Sequence, residues 1–225
     1  MVHRLVIDKT SWRILLTDFQ SLFHQRLQGK PFTLPPKTSS FQQWTQRLQA
    51  YADNLPSEDY QRLPSQPPLP VDFSNRENTV ALGHTVTVSL DLGETESLLQ
   101  QVPSVYHTHI NDVLLTALGQ TYTDWTGHSS LLIDLESQER EAIFEDIDVS
   151  RTVGWFTSLA PVLLDLTEVS HLGTSLKTVK EQLRQASHQG LEFGVYRYMR
   201  SKPGLKADIP QDPWPSPEIC FSYLG

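Results

Sequence analysis

Three side chains capable of acid–base or ionic chemistry lie within the first eight residues. The opening MVHRLVIDKTSW sets His3, Arg4 and Asp8 along a short apolar run of Val2, Leu5, Val6 and Ile7. An imidazole changes charge near neutral pH and serves as acid or base. A carboxylate with a tuned pKa can do the same. A guanidinium stays protonated and only pairs with anions. Read as a strand, the run puts His3 and Arg4 on opposite faces. Glu136 adds a second carboxylate at the end of the apolar run SSLLIDLE. Taken alone it is a strand-end acid.

Metal chemistry has no comparable support. The eight histidines are scattered, His107 and His109 are only two apart, and no Cys/His group has ligand spacing. With Cys220 as the single cysteine there is no internal disulfide, which fits a reducing, cytoplasmic setting. A formal charge of −8 without a basic stripe argues against nucleic acid as the main partner. The longest apolar runs are far too short for a membrane span, and no signal-peptide pattern opens the chain. At 225 residues and 38% apolar, the sequence suits one large domain or two small lobes.

Several elements must position these groups. The opening run reads as a strand. Thr10 or Ser11 then caps a helix whose Trp12, Leu15, Leu16, Phe19, Leu22, Phe23 and Leu27 recur at helical spacing. Gly29 and Pro31 end it. TSSFQQW predicts a second cap, with Gln three positions after Ser39 or Ser40, and a helix burying Phe41, Trp44, Leu48 and Tyr51. The proline-rich stretch Leu55–Phe73 is an extended connector and the lobe boundary, dividing residues 1–73 from 74–225. Beyond it TVTVSLDL alternates as a strand, with Val86, Val88, Leu90 and Leu92 on one face. Helices are expected around Glu94–Gln101, over NDVLLTALGQTYTDW (burying Ile110, Val113, Leu114, Ala117, Leu118 and Tyr122) and over LGTSLKTVKEQLRQAS. SSLLIDLE, WFTSLAPVLLDL and EICFSYLG read as strands. The expected architecture is a two-lobed α/β or α+β fold.

Five ordered blocks resemble one family, the epimerization branch of the condensation-domain superfamily in nonribosomal peptide synthetases. RTVGWFTSLAPVLL matches that branch's RTVGWFT signature, and INDVLLTALG matches its helix signature. LLIDLESQERE is similar to the strand and loop ending in EGHGRE. GLEFGVYRY resembles GIGYGLLRY, and FSYLG resembles FNYLG. HRLVIDKTSWRILL then falls where the family carries HHxxxDG followed by a helix. The resemblance implies a chloramphenicol-acetyltransferase-like, two-lobed condensation-domain fold with an incomplete first lobe, because family members carry a long stretch before HHxxxDG. Met1 is then either the start of a split gene or an artefact of gene calling.

Such domains invert the α-carbon of an aminoacyl or peptidyl thioester held on the phosphopantetheine arm of a peptidyl carrier protein. The resemblance implies no directly bound cofactor. The family's second His and its first Glu face each other across the tunnel between lobes, and the chemistry needs a base, an acid and stabilisation of an enolate-like intermediate. Here Glu136 stands at the Glu position, but Arg4 replaces the second His. His3 is the first His, Asp8 is retained, Lys9 replaces the motif's Gly, and Gln138 replaces the His of EGHGRE. A cation facing Glu136 would lower its pKa and weaken it as a base. The site is therefore read as degenerate.

In the family the motif's Asp orders its neighbours through an ion pair, for which Arg151 is one candidate partner. His3 reads equally as a half-buried histidine. Trp155, Ser222 and Tyr223 fall where the resemblance puts the substrate channel, although Trp155 and Tyr223 are equally explained by packing. Glu192 replaces the middle Gly of GIGYG, where a positive φ could be required. Three functions are expected: an impaired epimerization-type domain, a non-catalytic module that binds a carrier protein or completes a lobe of an adjacent synthetase chain, or a condensation-type acyltransferase.

Overall fold

The computed structural model describes residues 2–55, 63–64, 66–73, 79–137, 140, 143–167, 171–186, 189–199 and 217–224. Seven α-helices occur among them: α1 Lys9–Leu27, α2 Phe41–Asn54, α3 Leu92–Glu96, α4 Val102–Tyr106, α5 Ile110–Thr126, α6 Leu172–Ala186 and α7 Gln189–Tyr198. Three strands, β1 Ser130–Ser137, β2 Ser158–Asp165 and β3 Ile219–Phe221, form a sheet of order β2-β1-β3. This is a mixed helix-and-sheet fold. No helix among the described residues is long and apolar enough to cross a membrane.

The chain forms two compact units. The first comprises residues 1–62, 135–160 and 189–213. Its core is built on α2, where Trp44, Leu48 and Ala52 recur every four residues and so lie on one face. They pack with Phe144, Val149, Phe156 and Val195. Trp44 sits 5.5 Å from Phe144 and 5.9 Å from Phe156, centroid to centroid. Of the expected caps, Ser40 starts α2: its Oγ accepts from Gln43 N at 3.1 Å, and the Gln43 side chain accepts from Ser40 N at 2.7 Å.

The second unit comprises residues 63–134, 161–188 and 214–225. Leu131, Leu132 and Ile133 of β1 and Val162 and Leu164 of β2 are buried there. Helix α5 buries Asp112, Leu115, Thr116, Gly119 and Tyr122, and α6 buries Ser175, Leu176 and Val179. The buried face of α5 is therefore rotated from the expected one, with only Tyr122 common to both. Gly119 explains the choice. A Cβ there would stand 3.1 Å from Leu166 Cδ1, so the close approach selects the glycine face over the bulkier leucines.

Two expected strands are absent. The opening run forms a 3₁₀ turn, Arg4–Val6, closed by Val6 N donating to His3 O at 3.1 Å. TVTVSLDL joins no sheet, and Val86 and Val88 are 80% and 86% exposed. Alternation makes a strand only where a neighbour supplies ladder partners. Among the described residues none reaches either segment, so the opening run closes its hydrogen bond locally. The last expected strand is shorter than predicted, since Ser222 and Tyr223 lie beyond β3.

Candidate active-site region

Asp8 is the N-cap of α1, a position expected of Thr10 or Ser11. Its Oδ1 accepts from Ser11 N at 2.6 Å. The same oxygen accepts from Arg140 Nη2 at 3.3 Å, and Oδ2 accepts from Phe156 N at 3.2 Å. The backbone joins in, with Asp8 N donating to Gly154 O at 3.1 Å. Each oxygen of this buried carboxylate is thus matched to a donor, which is what burying a charge demands.

Ser11 extends the knot. Its Oγ donates to Gly154 O at 2.9 Å, accepts from Gly154 N at 3.0 Å and accepts from Arg140 Nη2 at 2.8 Å. A hydroxyl has one proton and two lone pairs, so its capacity is used up. Gly154 must be glycine here, because an added Cβ would lie 2.3 Å from Phe41 Cδ2. The ring of Phe41 meets that of Phe156 edge-on at 5.3 Å, which seats the clash against the core.

Arg140 holds the far side. Nη1 donates to Val149 O at 2.6 Å and to Thr152 O, and the guanidinium lies 4.4 Å from the centroid of Phe156. Burial pulls its pKa below the usual arginine range, Asp8 opposes that shift, and Arg13 adds a smaller lowering. It remains a cation at any accessible pH. The expected pairing of Asp8 with Arg151 is corrected: Arg151 Nη2 instead meets Asp18 Oδ1 at 2.5 Å. Nearly three turns of helix separate the capping Asp8 from Asp18. Arg151 reaches that later level, while Arg140 presents its fork to the start of the helix.

Glu136 is a half-buried residue of β1, four positions before Arg140. His3 is exposed rather than half-buried, and its Nδ1 accepts from Leu5 N at 3.1 Å. Because the opening is a 3₁₀ turn, alternation no longer sets His3 and Arg4 on opposite faces. The Arg4 side chain and Gln138 lie outside the described residues. Trp155 is half-buried beside the buried Phe156. Glu192 lies within helix α7, so no positive-φ turn is needed there, and its Oε1 accepts from Tyr51 Oη at 2.6 Å. Burial foremost, with Glu192's hydrogen bond and charge, pushes the Tyr51 phenol up to about 12.

In the second unit Ser222 and Tyr223 are exposed. A cavity of about 270 Å³ in that unit is lined by residues including Pro67, Leu69, Tyr122, Leu132 and Glu218, and by neither of them. Sequence reasoning missed the roles of Ser11, Arg140 and Gly154. The signal lay in the RE that closes LLIDLESQERE, which matches the Arg of EGHGRE.

The profile of the condensation-domain family matches residues 1–205. A component of the linear gramicidin synthase of Brevibacillus parabrevis is 44% identical over 231 residues, covering 100% of this chain and 3% of the relative. Surfactin synthase subunit 1 of Bacillus subtilis is 39% identical, covering 100% of this chain and 6% of the relative. The chain thus spans a small fraction of these relatives' length. Among solved structures, the epimerization domain from the third module of tyrocidine synthetase B is similar at 36% identity and a TM-score of 0.74. That match covers 89% of this chain and 46% of the solved one. The X-domain from teicoplanin biosynthesis, at 19% identity and a TM-score of 0.65, shares the fold; the match covers 90% of this chain and 47% of that one.

Proposed function

The chain belongs to the condensation-domain family, and from that membership we propose that it is part of an epimerization-type domain with an impaired acid–base pair. The substrate class is an aminoacyl or peptidyl thioester presented on the phosphopantetheine arm of a carrier protein, in a cytoplasmic synthetase. Residues 1–73 are assigned to the remainder of the first lobe and 74–225 to the second. Asp8, Ser11, Arg140 and Gly154 are positioning residues that hold the motif's turn against the RTVGWFT segment. The observation that carries this reading is the likeness to a solved epimerization domain, combined with Arg4 at the position of that family's second His.

Inversion of an α-carbon removes a proton from one face and returns one to the other. Glu136 supplies a carboxylate for one side. Arg4 cannot complete the pair, because a guanidinium does not give up its proton at accessible pH. General acid–base catalysis is typically worth about 10²–10⁴ in rate, and that factor is forfeited. The experiment is α-proton exchange of a carrier-bound aminoacyl thioester in heavy water. The unmodified chain shows no exchange above background. Arg4→His with Lys9→Gly restores exchange once the rest of an epimerization domain is supplied. Strong deuterium incorporation by the unmodified chain, abolished by Glu136→Gln, would overturn the impairment.

A second reading is favoured by the apolar side chains that α1 leaves exposed, Trp12, Phe19 and Phe23 among them: a non-catalytic module that binds a carrier protein or completes a lobe. It gives no exchange in either form of the chain.

A further inference from the structure

The cavity of the second unit is lined by none of Asp8, Ser11, Glu136 or Arg140. About 270 Å³ lies between three pieces of chain. The proline-rich arm 66–69 makes one wall, the opening of β1 at Leu131 and Leu132 a second, and residues 217–219 a third. Tyr122 of α5 joins them. Pro67 and Pro68 are exposed, so their wall lies at the surface.

Two hydrogen bonds fix the arm. Leu69 N donates to Glu218 Oε2 at 2.6 Å, and Ser130 Oγ donates to Gln66 Oε1 at 3.4 Å. The first engages only one oxygen of Glu218. Oε1 has no partner among the described residues, and neither has the phenol of Tyr122, a side chain otherwise buried at 4% exposure.

The lining chooses the ligand. Glu218 is its only charged residue among those described, so the cavity holds a negative charge with nothing to balance it. Pro67, Pro68 and Pro217 have no N–H to offer, and that of Leu69 is spent on Glu218. The walls are therefore weighted towards acceptors. An anion would meet a like charge and few donors. A divalent metal would need several oxygens, and no group of three or more His, Cys, Asp or Glu stands together among the described residues. A primary ammonium supplies three N–H donors and the missing positive charge. A cation is also drawn to the face of an aromatic ring such as that of Tyr122. The proline rings, Leu131, Leu132 and Ile219 suit an apolar body. That body is short, because the volume falls below the about 300–1,000 Å³ of drug-sized sites.

We propose that this cavity binds a compact primary ammonium with a short apolar body, its nitrogen paired with Glu218 Oε1. The site lies outside the reaction proposed above and does not rest on it.

Butylammonium chloride, titrated into the full chain carrying labelled methyl groups, tests this. It gives saturable shifts at the methyls of Leu69, Leu131, Leu132 and Ile219. Butanol and butyrate, of the same length, bind about tenfold or more weaker, since they lack the charge or reverse it. Glu218→Gln keeps an acceptor for Leu69 N and removes only the charge; it weakens butylammonium by a similar factor and leaves butanol unchanged. Methyl shifts elsewhere in the chain report that the variant is folded, and the comparison of the three probes on the unmodified chain needs no variant. Butanol or butyrate binding as tightly as butylammonium overturns the proposal. So does an affinity for butylammonium that Glu218→Gln does not change. Shifts confined to other methyls, or none that saturates within the solubility of the salt, overturn it as well.

Discussion

Arg140 Nη2 stands 3.3 Å from Asp8 Oδ1, with the two side chains 8% and 5% exposed, across 132 positions of sequence. The pair is one edge of a fork that also reaches Ser11 Oγ and two backbone carbonyls. Removing one partner of such a pair leaves the other charge buried and unpaired, which typically costs about 3–5 kcal/mol. We expect Arg140→Met to destabilise the first unit by that amount in urea unfolding. Arg140→Lys keeps the charge and loses the planar fork, so it falls between the two. A loss below about 1 kcal/mol for Arg140→Met would show that the fork is dispensable.

Gly154→Ala tests the close packing behind that fork. The new methyl would overlap the Phe41 ring, which is itself braced by Phe156. Overpacking of this kind costs about 1–3 kcal/mol. Phe41→Leu in the same chain should recover part of the loss. An unfolding midpoint unchanged by Gly154→Ala would place the ring elsewhere.

Tyr51 gives a pH signature. Its folded pKa is raised to about 12 by burial and by Glu192, above the ordinary value of 10.0. The raised value means the neutral phenol is the form the fold favours. That contribution is complete below pH 10 and is lost as pH rises towards 12. Stability should therefore fall over that window, and Tyr51→Phe should flatten the fall. Tyrosinate absorbance that develops fully by about pH 10.5 in the folded chain would contradict this.

Carrier binding is expected to outlast catalysis, because a groove that admits a phosphopantetheine arm works mostly through shape. Titrating this chain into a labelled carrier protein from a condensation-type synthetase should shift carrier resonances at high concentration. An intact fold with no shift at all defeats the carrier-binding reading.

Legibility followed the range of the interactions. Helix α2 could be read directly, since Ser40, Gln43 and the spacing of Trp44 and Leu48 are all local. The runs at Leu5–Ile7 and Val86–Leu92 could not, because extended alternation becomes a strand only beside another strand. Helix α5 was found but its face was not: Gly119 decides it by contact with Leu166, which no helical pattern encodes. At the candidate site Asp8 and Glu136 were visible as chemistry, and the family blocks located them. Arg140 was passed over for Arg151 because pairing at such separations depends on where two segments meet, and both arginines lie near the same signature.

The cap of α1 has a consequence for synthesis on the ribosome. Its carboxylate is completed by Phe156 N, 148 residues downstream. At about 5–20 residues per second, roughly 7–30 s separate the emergence of Asp8 from that of its last donor. For that interval the nascent helix lacks the anchor that fixes its first turn. A factor that holds unanchored helices would have the exposed Trp12, Phe19 and Phe23 to bind throughout it, before the signature that closes the knot has been translated.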